Sequence, residues 1–387
     1  MAFTGGGTAG HVLPNIAVIR EMRERISPVP DPDLKILYIG GVTGPERELC
    51  AKYGVPFVGV ATGKLRRYFS WENFVDPFRV VVGAWEAWRA LRAFRPDVVF
   101  SKGGFVSVPV VMAAARLGVP VVLHEADVEP GLANKMCMRF AKVVCVSWEK
   151  SMTLVSGMLA GNTAKRRTLW TGMPVRREVL SGVRERGLEF LGFDGKKPVL
   201  LVMGGSLGAA SVNRLVWAEL EELLEVYDVV HVTGRDAFEG SELMMADGMI
   251  PEAVEQAMKS RRHYRVFPYL QDELFDVYAC ADVVVSRAGA SALAELSVLG
   301  KPSVLIPLGS TQSRGDQIVN AGVLREAGAC EVYFQDWNEP SKFLEKVIDL
   351  GTNDRRRAEM SDAMQVFGER HRRAAGQIAE VILSVVT

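Results

Sequence analysis

The sequence predicts an α/β protein of two doubly wound, Rossmann-like domains facing one another across a cleft. Three observations predict it. Short β-branched runs alternate with longer amphipathic segments along the chain, the pattern of βα units on parallel sheets. Each half opens in the same order: a strand, a glycine-rich turn, a helix. The chain has 387 residues, more than one ordinary core holds when domains run to roughly 100–200 residues.

In the first half the runs predict strands at Ile36–Ile39, Val98–Phe100, Val119–Leu123 and Val143–Val146, each short and apolar. Helices are expected near Asn15–Arg25, Glu46–Tyr53, Val108–Arg116 and Leu132–Phe140, where apolar residues recur at helical spacing. The pattern restarts after a polar, basic stretch around Ala164–Arg167 and a Gly172-Met173-Pro174 turn, so the boundary is placed near Arg176. Strands at Val199–Met203, Val229–Val232, Val283–Val285 and Ser303–Ile306 follow, with helices near Ala210–Val226 and Ala290–Leu299. This gives domains of 1–176 and 177–364. The last helix, about Asp362 to Val386, is compatible with packing on either domain, and 365–387 is long enough to return to the first. The chain starts only a few residues before its first glycine loop, so the first strand is expected to be short, at some cost to the sheet.

Composition narrows the function classes. Hydrophobic residues make up 48% and charged residues 24%, as in a globular protein. Lys plus Arg equals Asp plus Glu at 46 each, so nothing in the global charge calls for a nucleic-acid partner. The five cysteines (Cys50, Cys137, Cys145, Cys280, Cys330) are scattered and never in CxxC spacing, which predicts buried thiols instead of a disulfide framework or zinc site. Met1-Ala2-Phe3-Thr4 has neither the basic nor the apolar region of a signal peptide, which predicts a cytoplasmic protein. The most apolar stretch, Phe105 to Leu123, is broken by Pro109, Arg116, Gly118 and Pro120 and reads as helix, turn and strand.

Three glycine loops follow strands and precede helices. The first is Thr4-Gly5-Gly6-Gly7-Thr8-Ala9-Gly10-His11; glycines let the backbone approach a ligand, and amides at a helix start point at an anion or a sugar oxygen. It fits neither the dinucleotide spacing nor a P-loop, and the same glycines would also serve a bare strand-to-helix turn. The second is Ser101-Lys102-Gly103-Gly104-Phe105-Val106-Ser107. The third is Met203-Gly204-Gly205-Ser206-Leu207-Gly208-Ala209, whose amides and Ser206 hydroxyl suit a diphosphate. Ligands of doubly wound folds bind beyond the carboxyl ends of strands, where all three loops fall.

Polar residues gather later in the second half. Glu295 lies about one and a half turns into a helix and can accept bonds from two ribose hydroxyls, or simply favour the helix dipole. Asp316, Gln317 and Asn320 fall together at a helix start, where they suit sugar hydroxyls or serve as a cap and first turn.

Taken in order, these motifs resemble the MurG family, the UDP-N-acetylglucosamine:N-acetylmuramyl-(pentapeptide) pyrophosphoryl-undecaprenol N-acetylglucosaminyltransferases. The resemblance covers nearly the whole chain. It runs through the first two glycine loops, His124-Glu125, Gly131-Leu132-Ala133-Asn134-Lys135, Gly172-Met173-Pro174-Val175-Arg176, the third loop, Ser286-Arg287-Ala288-Gly289-Ala290 with Glu295, and Gly315-Asp316-Gln317 with Asn320. It implies a GT-B architecture and an inverting transfer of N-acetylglucosamine from the UDP donor to the C4 hydroxyl of the muramyl sugar of lipid I, giving lipid II and UDP in peptidoglycan synthesis. The rivals are a GT-B transferase with another lipid or natural-product acceptor, a UDP-N-acetylglucosamine epimerase, and a binding scaffold.

By the same resemblance Thr8, Ala9 and Gly10 line the sugar side, Asp127 belongs to the substrate site, and Arg176 lies near the donor. Ser206 contacts the diphosphate and Leu270 offers its backbone to the uracil. Ala290, Ser291, Ala292, Leu293, Ala294 and Glu295, with Gln317, bind ribose and sugar. His11 is the candidate base, since a neutral imidazole can take the acceptor hydroxyl proton; Asp127 and Glu125 compete for that role, and His11 could instead bond a phosphate or cap its helix. Many members have Gly at Ala9, Asn at Asp127 and Gly-Asn-Pro at 172–174, so Asp127 places a charge where an amide is usual. No cofactor and no metal are expected, because no DxD-like acidic pair stands beside the diphosphate loop; backbone amides and helix dipoles would balance the leaving UDP.

Between Lys64 and Arg95, basic residues Lys64, Arg66, Arg67, Arg79, Arg89, Arg92 and Arg95 interleave with Tyr68, Phe69, Trp71, Phe74, Phe78, Trp85, Trp88 and Phe94. Such a segment suits an anionic membrane surface and would make the enzyme peripheral on the cytoplasmic face; the aromatics would serve equally as core contacts of an ordinary helix.

Overall fold

The computed structural model describes residues 1–26, 34–63, 72–159, 167–205, 210–239, 242–243, 252–260, 262–309, 314–335 and 339–386. The chain divides into two compact units, Met1–Arg176 with Arg370–Thr387, and Arg177–Glu369.

The first unit runs β1 (Ala2–Thr4), α1 (Ala9–Ile26), β2 (Leu37–Gly41), α2 (Glu46–Lys52), β3 (Phe57–Val60), α3 (Glu72–Phe94), β4 (Val99–Ser101), α4 (Ser107–Arg116), β5 (Val121–Glu125), α5 (Leu132–Met138), β6 (Val143–Val146), α6 (Glu149–Leu159) and β7 (Arg167–Trp170). Its strands form one parallel sheet in the order β3-β2-β1-β4-β5-β6-β7. The central strands are buried on both faces, which is why they read as unbroken apolar runs. Alternate residues feed opposite cores: Leu37, Ile39, Val121 and Leu123 pack with α3, α4 and α5, while Tyr38 and Val122 pack with α1.

The second unit runs α7 (Arg184–Leu191), β8 (Val199–Met203), α8 (Ala210–Ala218), α9 (Leu220–Val226), β9 (Asp228–Val232), a ribbon of β10 (Phe238–Glu239) and β11 (Glu242–Leu243), α10 (Glu252–Ser260), β12 (Tyr264–Phe267), α11 (Glu273–Cys280), β13 (Val283–Ser286), α12 (Ala290–Leu299), β14 (Ser303–Leu305), α13 (Asp316–Glu326), β15 (Glu331–Val332), α14 (Pro340–Thr352) and α15 (Asp354–Val386). Its main sheet is parallel in the order β12-β9-β8-β13-β14-β15. From Arg370 onward α15 belongs to the first unit, where Ile378, Ala379, Ile382 and Val385 share a core with α1.

Three of the expected helices differ most from the sequence pattern. Helix α1 starts at Ala9, six residues before the expected Asn15, because Gly10 and Pro14 disguise its first turns. The expected helix Ala210–Val226 is broken at Glu219 into α8 and α9, and both pieces bury into one cluster through Val216, Leu220 and Leu223. Helix α15 starts at Asp354, eight residues before the expected Asp362, because its first turns are mostly charged. The apolar stretch after Phe105 is α4, a turn and β5, and among the described residues no helix is long and apolar enough to cross a membrane. All five cysteines are free and buried.

Candidate active site

In both sheets the first strand of the unit is where strand order reverses: β1 lies between β2 and β4, and β8 between β9 and β13. The loops leaving these strand pairs lie at the topological switch points, where doubly wound folds bind ligands.

At the first switch point the loop after β1 meets the loop after β4. A Cβ on Gly104 would lie 2.5 Å from the Gly6 carbonyl oxygen, so contact between these loops depends on a bare backbone. The first loop rests on buried side chains remote in sequence. Tyr38 Oη donates to the Gly5 carbonyl at 2.6 Å, and Asn15 Nδ2 donates to the Thr4 carbonyl at 3.1 Å and to Tyr38 Oη at 2.9 Å. Glu46, from the first turn of α2, is fully buried and accepts the Gly7 N–H on Oε1 at 2.6 Å. A Cβ on Gly6 would fall 1.9 Å from that oxygen, so any larger residue there would displace the carboxylate.

Of the sequence-derived residues here, Thr8 is exposed and accepts the His11 N–H on its carbonyl at 3.1 Å; Ala9, Gly10 and His11 are half-buried in the first turn of α1. The His11 ring lies over the second loop, its Cδ2 3.4 Å from where a Gly104 Cβ would stand. Lys102 is 1% exposed, and its Nζ has no hydrogen-bond partner among the described residues. Burial lowers its pKa to about 8, against the upward pull of Glu125 and then Asp127.

Glu125, at the end of β5, is occupied on both oxygens. Oε1 accepts the N–H groups of Ala126 and Asp127 at 2.8 and 3.1 Å; Oε2 accepts Gly131 N–H and Asn134 Nδ2 at 3.0 and 2.9 Å. That carboxylate holds the following loop in shape, whereas Asp127 is half-buried on the same loop. Arg176 is half-buried at the last residue of the unit's first segment.

At the second switch point Gly204 and Gly205 follow β8; Ser206, with Leu207, Gly208 and Ala209, lies outside the described residues. Helix α12 begins at Ala290 with Gly289 as its cap residue and no side-chain cap bond, so its first turn presents backbone N–H groups beyond β13. Ala290 is buried, Ser291 and Ala292 half-buried, Leu293 and Ala294 buried. Glu295 is half-buried and accepts Tyr278 Oη at 3.2 Å. Gln317 Oε1 accepts the Leu308 N–H at 3.0 Å and the fully buried Asn320 donates to the Ala288 carbonyl at 3.4 Å, so α13 ties down the loops after β14 and β13. Leu270 is buried just beyond β12, at the sheet's edge and away from this cluster in strand order.

Arg287 directly follows β13. It is 7% exposed and donates to Ile306 O at 3.0 Å, Gln335 Oε1 at 3.0 Å and Ser211 Oγ at 2.7 Å, joining the start of α8 to the exits of β14 and β15. Burial lowers it to about 10. Glu46, Asn15 and Tyr38 are the supports of the first loop that sequence reasoning missed. Glu46 reads locally as an acid at a helix start, and only its partner 39 residues away reveals its part.

Residues 1–146 match the glycosyltransferase family 28 N-terminal domain and residues 199–378 the glycosyltransferase family 28 C-terminal domain. A Bacillus cereus protein named UDP-N-acetylglucosamine--N-acetylmuramyl-(pentapeptide) pyrophosphoryl-undecaprenol N-acetylglucosamine transferase 2 is 42% identical, covering 92% of each chain. A Geobacillus thermodenitrificans protein of the same name without the numeral is 44% identical over 87% of this chain and 86% of its own. Among solved structures, MurG of Acinetobacter baumannii superposes with a TM-score of 0.68 at 23% identity, covering 99% of each chain, which is a likeness of fold.

Proposed function

The chain belongs to glycosyltransferase family 28 and, within it, to the MurG family, and from that premise we propose that it moves N-acetylglucosamine from UDP-N-acetylglucosamine to the C4 hydroxyl of a muramyl sugar carried on pyrophosphoryl-undecaprenol (lipid I). The products are lipid II and UDP, formed in one inverting displacement. The observation that carries this reading is identity of 42–44% through both halves of the chain with transferases so named. It makes the protein an enzyme of peptidoglycan synthesis, and so of cell shape and division.

Each unit supplies one part of the chemistry. The first unit takes the acceptor, with Thr8, Ala9, Gly10 and Asp127 beside the sugars, and His11 removes the C4 hydroxyl proton as the new bond forms. The second unit takes the donor. Glu295 and Gln317 engage ribose and sugar, Ser206 and the amides at the start of α12 engage the diphosphate, and Leu270 meets the uracil. Negative charge that builds on departing UDP is stabilised by N–H groups already oriented by the helix, with no reorganisation at the moment of reaction.

The acceptor's lipid tail calls for a membrane surface on the cytoplasmic side. The exposed side chains of α3 suit it: Val81, Val82 and Trp85 stand in solvent, and the guanidinium of Arg89 lies 4.8 Å from the Trp85 ring centre. No nucleic acid is called for, since the chain is electrically balanced. The test is the structure of the product made from UDP-N-acetylglucosamine and a lipid I analogue. A β-linkage to C4 of the muramyl sugar is expected; an α-linkage or another attachment point would refute the proposal.

A further inference from the structure

We propose that the Lys102 ammonium supplies the positive field that holds an anionic group of the acceptor at the first unit's switch point. The inference rests on the transferase reading and adds a residue to it. Lys102 leaves β4 directly beside the first glycine loop: its N–H bonds the Thr4 carbonyl at 2.9 Å, and a Cβ on Gly5 would lie 3.0 Å from its own Cβ. Its side chain is buried, yet no acceptor atom among the described residues meets the ammonium. A desolvated cation in that condition is costly, and negative charge seated nearby offsets that cost through the interior.

The surroundings show why the charge remains available. Glu125 is its largest electrostatic partner, but four N–H donors already occupy that carboxylate, and Asp127 comes second. From β5 the buried His124 is held neutral by desolvation and then by the lysine's own charge. Helix α1 brings His11 and the amide of Asn15, helix α5 the amide of Asn134, and helix α2 the carboxylate of Glu46. Because Glu46 consumes the Gly7 N–H, the first loop has one fewer donor for an incoming anion. The buried cation acts through a poorly screening interior, so its field reaches an anion seated on the loops without direct contact.

The acceptor offers two sources of anionic oxygen, a diphosphate and a peptide carboxylate. Both stay ionised while Lys102, lowered to about 8, loses its charge as pH rises through that value. The test is steady-state kinetics of the full chain with UDP-N-acetylglucosamine and a short-chain polyprenyl-diphospho-muramyl pentapeptide, from about pH 6.5 to about 9.5. Wild-type acceptor KM should rise above about pH 8. Lys102→Met should raise acceptor KM about 10-fold or more near neutrality, abolish that rise and leave donor KM within about twofold. Lys102→Arg should keep a low KM and lose the rise, since guanidinium stays charged.

A neutral alkyl glycoside of the muramyl pentapeptide and an acceptor with an amidated peptide terminus identify the source: the analogue on which Lys102→Met has no effect lacks the group concerned. Unchanged acceptor KM in Lys102→Met, or an equal rise in donor KM, overturns the proposal. Should that variant fail to fold, a wild-type pH rise persisting in Lys102→Arg overturns it. Wild-type turnover of the donor alone, with no transfer to any muramyl acceptor, refutes the transferase reading itself and takes this inference with it.

Discussion

Three histidines, His124, His231 and His371, are buried and neutral, and the hydrogen bonds of His231 and His371 depend on it. His371 Nδ1 accepts the Met173 N–H at 3.0 Å, and burial lowers its pKa to about 4. His231 lies between Tyr264 Oη at 3.0 Å and Asn213 Oδ1 at 3.1 Å, lowered by burial to about 3. His124 is held well below its ordinary value, mainly by burial. Between the unfolded value near 6.5 and these folded values, the unfolded chain binds more protons than the native one. Stability from these groups is therefore fully present above about pH 6.5 and falls as pH drops below it, by up to about 1.4 kcal/mol per pH unit for each histidine. Urea midpoints should fall from about pH 7 to about pH 4.5, and His371→Gln, which keeps an acceptor for Met173, should make the slope shallower. A slope unchanged in that variant would contradict the assignment.

At the scale of elements, α3 carries two burdens on one helix. Ala87 and Leu91 are buried, with Trp88 and Phe94 packed against the same core, while Val81, Val82 and Trp85 face solvent. Its close seat against the exit of β3 relies on Gly83, where a Cβ would lie 1.9 Å from the Ala61 carbonyl oxygen, and on Glu86, which accepts the Ala61 N–H at 2.7 Å. If the exposed face meets anionic lipid, the double change Arg79→Glu with Arg89→Glu should weaken association with phosphatidylglycerol vesicles about 10-fold or more, on the order of 1 kcal/mol per basic residue removed. Unchanged vesicle sedimentation would rule the face out. Lys64, Arg66, Arg67, Tyr68, Phe69 and Trp71, which belong to the same sequence patch, lie outside the described residues.

Legibility also divides by element. Val143–Val146, Val199–Met203 and Ala290–Leu299 match the sequence reading residue for residue, because strands buried on both faces and a strongly apolar helix leave unbroken signals. β7 and β15 went unread: Arg167 and Glu331 break short runs at the sheet edges, and β3 and β12 are edge strands buried on one side at most. The glycine loops were legible because backbone approach requires glycine. Their supports were not, since Tyr38 and Glu46 reach the first loop across 33 and 39 residues and carry no local pattern.

For the whole molecule, the six-strand order of the second sheet repeats the first six positions of the seven-stranded first sheet, and in each the strand that leads into the glycine-rich turn is the one where the order reverses. The repeat does not extend to their chemistry. The first switch point holds Glu46, Glu125 and the unsatisfied Lys102, whereas the second is braced by Arg287 and opened by the start of α12. Such a division suits two ligands of different chemistry. The most direct test is UDP release by the purified chain from UDP-N-acetylglucosamine, with and without a lipid I analogue. Release only when the muramyl lipid is present is the predicted result; release or isomerisation of the donor without it, or donor binding with no turnover in either condition, would contradict it.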